Sequence, residues 1–199
     1  MAPERLRPPY PEIYEGLTSG RVIPFLGAGA PLYSRNPKVT PWMQKSQGQL
    51  SYNFLPTATE LADFLGTRAD LPSSEMGELT KMAQYFETVM GSEPLREKLQ
   101  NIFSHAQPPT PLHEFLAAIP APLIIVTTNY DDMMERAFQS VGKNFDVVVH
   151  ITDREKVLWF SHENPEPEEV ATDELLLELD RVPVIYKMHG AIDRRPKCL

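Results

Sequence analysis

A chain of 199 residues with 42% hydrophobic and 23% charged residues is long enough for one domain with a proper core, and its makeup is ordinary for a soluble protein. A net charge of −8 argues against a general nucleic-acid binder, which would present a basic field. The single cysteine, Cys198, excludes an internal disulfide and any Cys-rich zinc site. LIIV at 123–126 is the longest purely aliphatic run, far short of a membrane span, and the N-terminus lacks the apolar core of a secretory signal. A cytoplasmic location is therefore expected, with no membrane partner and no direct nucleic-acid binding.

Residues 1–20 read as an N-terminal arm, broken early by Pro3, Pro8 and Pro9, with a short helix around 11–18. RVIPFLGAGA at 21–30 reads as an apolar strand running into glycines, and Pro24 requires that strand to lie at an edge or a bulge. Residues 31–56 read as a long irregular segment and, leaving directly from the glycine turn, as a candidate lid. Thr57 and Glu60 form a capping-box pair ahead of LADFL, with Gly66 as the stop. Helical spacing of Met76, Leu79, Met82, Ala83, Phe86, Val89 and Met90 predicts a helix over 74–90 ending at Gly91, and Leu95, Leu99, Ile102 and Phe103 continue the pattern. Thr110 and Pro111 cap and open a further helix. These methionines and aromatics read as core.

The run at 123–128 reads as a strand, followed by a helix with Met133, Met134, Ala137, Phe138 and Val141 that closes at Gly142. FDVVVH (145–150), KVLWF (156–160) and VPVIYKMHG (182–190) read as strands, and the acidic ENPEPEEVATDE (163–174) as a solvated excursion. Strands separated by helices predict an α/β fold with a Rossmann-like, mainly parallel sheet flanked by helices.

Three strands end in unusual residues: GAGAP at 27–31, TTNYDD at 127–132 and KMHG at 187–190. Ligands of an open parallel sheet bind outside the carboxyl ends of its strands, so parallel neighbours would bring these tips to one site. Gly27 and Gly29 allow a tight turn and close backbone approach to a pyrophosphate. The ordinary tight turn is an equal reading of that motif, because the dinucleotide fingerprint's third glycine is absent and position 32 is Leu32. Asp131 and Asp132 fall in a first helical turn, where the helix dipole favours negative charge. Carboxylates there would repel phosphate and suit a neutral amide or a cationic group. Asn129 at a strand tip can both donate and accept, with a structural Asx-turn as the competing reading. His189, beside Gly190, can take a proton near neutral pH, whereas His105, His113, His150 and His162 read as surface or packing residues.

In order, VIPFLGAGA, TTNYD and KMHG resemble the sirtuin-like (silent-information-regulator) superfamily, over about residues 21 to 193. The resemblance implies that Gly27, Ala28 and Gly29 line the phosphates of NAD. It places Asn129 and Asp131 at the nicotinamide–ribose end, counts Thr128 among the NAD-binding residues, and gives His189 a ribose hydroxyl or a water to act on. Two departures matter: Pro31 stands where the family usually has serine, and the four-cysteine zinc module of the deacylating members cannot be built. The resemblance therefore points to bacterial NAD-hydrolysing domains without zinc, some of them antiviral effectors. The alternative is a non-catalytic NAD or ADP-ribose sensor within a multidomain regulator, and a protein deacylase or ADP-ribosyl transferase comes third. Because the family fold continues past its histidine, the sirtuin-like domain at 21–199 is expected to be a piece of a longer protein, with additional C-terminal domains and a capacity for homo-oligomer formation.

Overall fold

In the computed structural model the described residues are 8–35, 38, 40–46, 49–71, 77–104, 107–151, 155–164 and 166–191. Met76, His105 and Cys198 lie outside them. In chain order the strands are β1 (Phe25–Leu26), β2 (Met43–Ser46), β3 (Gln49–Tyr52), β4 (Ile124–Thr127), β5 (Asp146–His150), β6 (Lys156–Phe160), β7 (Glu168–Ala171) and β8 (Val184–Lys187). The helices are α1 (Tyr10–Thr18), α2 (Ala58–Arg68), α3 (Leu79–Met90), α4 (Ser92–Phe103), α5 (Pro111–Ala118) and α6 (Met133–Ser140), with a 3-10 turn at Ala30–Ser34.

Six strands form one sheet in the order β1-β4-β8-β5-β6-β7. The first four are parallel to one another, and β6 and β7 return antiparallel. This is the expected mainly parallel α/β sheet flanked by helices. Pro24 behaves as its chemistry requires: β1 is at the end of the sheet, and the Pro24 carbonyl accepts from the Val126 N–H at 2.9 Å. Leu26 pairs with Thr127, and Thr127 with Lys187, so β1, β4 and β8 end side by side at one level.

Two large apolar cores and a smaller cluster of Val148, Val157 and Val184 organise the described residues. The first packs Leu17 of α1, Leu116 of α5 and Met134 and Phe138 of α6 against Ile125, Val147 and Ile185 of the sheet. The second joins Trp42 to Leu61, Phe64, Leu65, Met82, Phe86 and Ile102, making a helical layer of α2, α3 and α4 with the β2–β3 hairpin. That hairpin corrects the reading of 31–56 as wholly irregular. Its alternation is masked by polar residues on the outward face, while Trp42 stacks on Tyr52 at 5.5 Å on the other.

The remaining corrections are local. Gly66 lies inside α2, which runs on to Arg68, because burial against α3 outweighs the roughly 1 kcal/mol helix penalty of glycine. The helix predicted from residue 74 begins at Leu79, and Val89 and Met90 are exposed rather than core. Residues 168–171 of the acidic stretch form the outer strand β7, held to β6 by backbone pairing and by Lys156–Glu169 at 3.2 Å. The strand around Pro24 is only two residues long. The Thr57–Glu60 capping box is present in both directions, at 3.1 and 2.8 Å.

Candidate functional site

The level tips of β1, β4 and β8 open into a cavity of about 460 Å³. Ala28 and Pro31 face it from the glycine turn, Thr128, Asn129, Tyr130 and Asp131 from the turn after β4, and His189 from beyond β8. The roof is the helical layer: Leu61, Leu65, Leu79, Ala83, Leu99 and Phe103 supply its apolar wall. Phe103 meets the Tyr130 ring at 5.7 Å, which closes the space between roof and sheet. A small polar patch set in an apolar enclosure is the usual build of a small-molecule site.

Gly27 and Gly29 belong to the same turn but do not form the wall of this cavity. Gly29 has a φ of −78°, so no left-handed conformation demands glycine there. A Cβ added at Gly29 would meet nothing within 4 Å, and one at Gly27 only Thr128 Oγ1 at 3.9 Å. The tight turn is present but does not itself demand glycine at Gly29, and the backbone there is left bare. The turn itself is tied down by Ala30 N–H to the Gly27 carbonyl at 2.9 Å and by Thr110 Oγ1 donating to the Ala30 carbonyl at 3.3 Å. His113 sits against that threonine, 2.7 Å from Oγ1, and burial lowers its pKa to about 4. It is a packing residue, as its sequence context suggested.

The turn after β4 is held by short side chains acting on nearby N–H groups. Asn129 N–H donates to Thr127 Oγ1 at 3.0 Å, and Met133 N–H donates to Asp131 Oδ1 at 3.1 Å. The Asx-turn thus belongs to Asp131, and the turn is fixed without the Asn129 carboxamide. Helix α6 starts only at Met133, so the two aspartates precede the first helical turn. Asp132 pairs with Arg136 at 2.7 Å. Asp131 is 8% exposed. Its burial pushes its pKa up to about 6, against the pull of the Lys187 ammonium and the Met133 N–H, while Glu135 and Asp132 add to the rise. Burial also raises the Tyr130 phenol. His189 is exposed, and Gly190 after it takes a φ of 92°, a turn that only glycine makes without strain.

Two features of this region escaped the sequence patterns. Lys187, fully buried on β8, donates to the Asp131 carbonyl at 2.7 Å and lies 2.7 Å from Glu135 Oε1. Its signal was present, a lysine inside an apolar strand, but its partners lie more than 50 positions back in the chain. Arg35 is the other: buried, it donates to the carbonyls of Thr40 and Leu55 at 2.9 Å and pairs with Glu60, fastening the chain after the glycine turn to the start of α2. Burial favours the neutral form of Glu60, but the hydrogen bonds from Arg35 and Thr57 together outweigh it and lower its pKa. Among the described residues no cluster of His, Cys, Asp or Glu is placed to hold a metal ion, and no helix is long and apolar enough to cross a membrane.

Three strand tips that bring an amide, a buried carboxylate and an imidazole to one cavity define a small-molecule site on a parallel α/β sheet, and the sequence comparisons add what the chain is similar to. Residues 123–199, which carry β4, α6, β5 to β8 and His189, match the family described as SIR2-like domain. The sirtuin-like resemblance read from the motifs is borne out. The chain is further similar to two bacterial proteins each called NAD(+) hydrolase ThsA. The relative from Cytobacillus dafuensis is 31% identical over 117 residues, 59% of this chain and 19% of that protein. The relative from Acinetobacter baumannii (strain 532279) is 30% identical over 135 residues, 66% of this chain and 23% of that protein. The aligned part of this chain thus spans about a fifth of the length of these relatives. The glycine turn lies outside the residues matched by the family.

Proposed function

We propose that this chain is an NAD glycohydrolase domain that releases nicotinamide from NAD. The observation that carries the reading is the single cavity on which Ala28, Asn129, Asp131 and His189 meet. In this reading the C1′–N1 bond breaks with its electron pair passing to the pyridinium nitrogen, which leaves as neutral nicotinamide. Water adds at C1′ and gives up a proton, so the products are ADP-ribose, nicotinamide and a proton. The leaving group is already cationic, and no strong acid is required. The ribose becomes oxocarbenium-like, and the Asn129 carboxamide and Asp131 carboxylate oxygens stabilise that developing charge. His189 accepts the proton of the attacking water or of a ribose hydroxyl. The bare backbone at Gly27 and Gly29 takes the phosphates.

The ThsA relatives, named for NAD hydrolysis, support the substrate, and an effector role in antiviral defence extends the same proposal through the family resemblance. The test is nicotinamide release from NAD by wild type, Asn129→Ala and His189→Ala, made in the longest natural form of the protein. Turnover that survives both substitutions sinks the assigned roles. A second reading, a sensor that binds NAD or ADP-ribose without cleaving it, is favoured by Pro31 on the cavity wall, where a hydroxyl is usual in the family. Saturable binding of NAD by wild type with no nicotinamide formed would establish it.

A further inference from the structure

We propose that Lys187 is a positioning residue for this site, holding the turn that carries Asn129 and Asp131 at a fixed distance from His189, with Glu135 as its counter-charge; the catalytic part of this inference rests on the NAD-cleaving reading above.

Lys187 has no reason to be a lysine if it serves only as core. It is fully buried in a strand whose neighbours Val184 and Ile185 are buried aliphatic residues, and burying an ammonium carries a large desolvation cost. Its ladder partners are Thr127 on one side and Val149 on the other, neither charged. The ammonium instead reaches the far end of the β4 turn, where it donates to the Asp131 carbonyl at 2.7 Å. The same nitrogen lies 2.7 Å from Glu135 Oε1 on α6, a contact of charges rather than a well-aligned hydrogen bond. One side chain thereby couples three pieces: the strand that carries His189 two residues on, the turn that carries Asn129, and the helix that follows.

The surrounding charges define what Lys187 does. Asp131 lines the cavity, Asp132 and Glu135 lie near enough to it to raise its pKa, and Arg136 answers Asp132. Lys187 is the buried cation facing Asp131 and Glu135, while Tyr130 and His189 reach the cavity from the turn and from beyond β8. Fixing a backbone carbonyl restricts the whole turn, because the Asn129 and Met133 N–H groups are already tied within it. The electric effect has a definite sign: the ammonium favours ionised Asp131, so its removal moves that carboxyl's titration to higher pH.

The experiment uses Lys187→Met combined with Glu135→Gln, which removes cation and anion together. Asp131 loses the ammonium, the larger influence on it, as well as the Glu135 carboxylate, so its titration still moves to higher pH. Lys187→Gln, a shorter neutral donor, is the second variant should the double one fail to fold. Amide hydrogen exchange is followed at residues 128–133 and in β4 and β8, alongside nicotinamide release from NAD between pH 5 and 8. The expected result is about tenfold faster exchange in the turn with the strands still protected. Turnover kcat should fall at least tenfold with KM within about threefold, and the acid limb of the rate profile should move to higher pH. Unchanged exchange in the turn overturns the proposal, as does faster exchange with kcat and the acid limb unmoved. Wild type that forms no nicotinamide removes the NAD-cleaving reading instead, and the exchange at 128–133 still decides whether Lys187 holds the turn.

Discussion

The floor and the roof of the cavity are made on different terms. The floor is three strand tips at one level, where Leu26, Thr127 and Lys187 stand in register and the residues that follow are mostly polar, acidic or glycine. The roof is a helical layer with its own apolar core, offering mostly leucine, alanine and phenylalanine to the same space. Chemistry is concentrated below and shape above. A substitution in the floor should change rate with little loss of stability, and one in the roof should do the reverse.

The largest effects should come from the floor. Asn129→Ala and His189→Ala are expected to lower kcat for nicotinamide release by about 10²- to 10⁴-fold while the melting temperature barely moves, since neither side chain holds the turn together. Next comes the roof: Leu65→Ala, at a fully buried position, should cost about 2–5 kcal/mol in denaturant unfolding, with kcat of the folded fraction nearly intact. A large loss of kcat at Leu65 would erase the contrast.

Asp131 sharpens the comparison, because there stability and rate should move in opposite directions. Its carboxyl titrates at about 6 in the fold and near 3.8 when unfolded. Between those values the folded state holds a proton that the unfolded state has released, so stability falls as pH rises from about 4 to 6 and is then level. Asp131→Asn keeps an oxygen for the Met133 N–H but carries no charge. At pH 7 it should be more stable by roughly 2–3 kcal/mol and slower in NAD cleavage. Loss of stability in that variant would show that burial is not what governs this group. The smallest effect belongs to the glycine turn: Gly29→Ala should melt like wild type, given the open space at its Cβ, yet bind NAD about tenfold more weakly by calorimetry. Unaltered affinity would remove the phosphates from that turn.

The floor was largely legible in the sequence and the roof was not, for a physical reason. Strand tips announce themselves as abrupt changes from aliphatic to polar residues, and TTNYDD and KMHG are such changes. Helical spacing put Leu79, Ala83, Leu99 and Phe103 on apolar faces, but periodicity says which face is covered and not what it covers. Core packing and a ligand wall leave the same pattern. The hairpin at 43–52 and the strand at 168–171 were missed because polar or acidic outward faces hid their alternation, and sheet pairing with distant residues decides such segments. Lys187 stands within KMHG with nothing local to mark its role, since its partners in the turn and in α6 become neighbours only once β4 and β8 lie side by side.

Pro24 has a consequence for how the molecule behaves at high concentration. At the β1 edge of the sheet Phe25 is exposed to solvent, a side that invites further chains to add on and seed aggregates. The missing N–H of Pro24 falls on the β4 side, where its carbonyl bonds Val126, so pairing begins only at Phe25. The strand keeps to two residues, of which Phe25 alone turns its N–H and C=O outward for an incoming chain to grip. Pro24→Val should lengthen that border and raise light scattering on concentration, with the dispersed protein still cleaving NAD; scattering equal to wild type would show that the proline guards nothing.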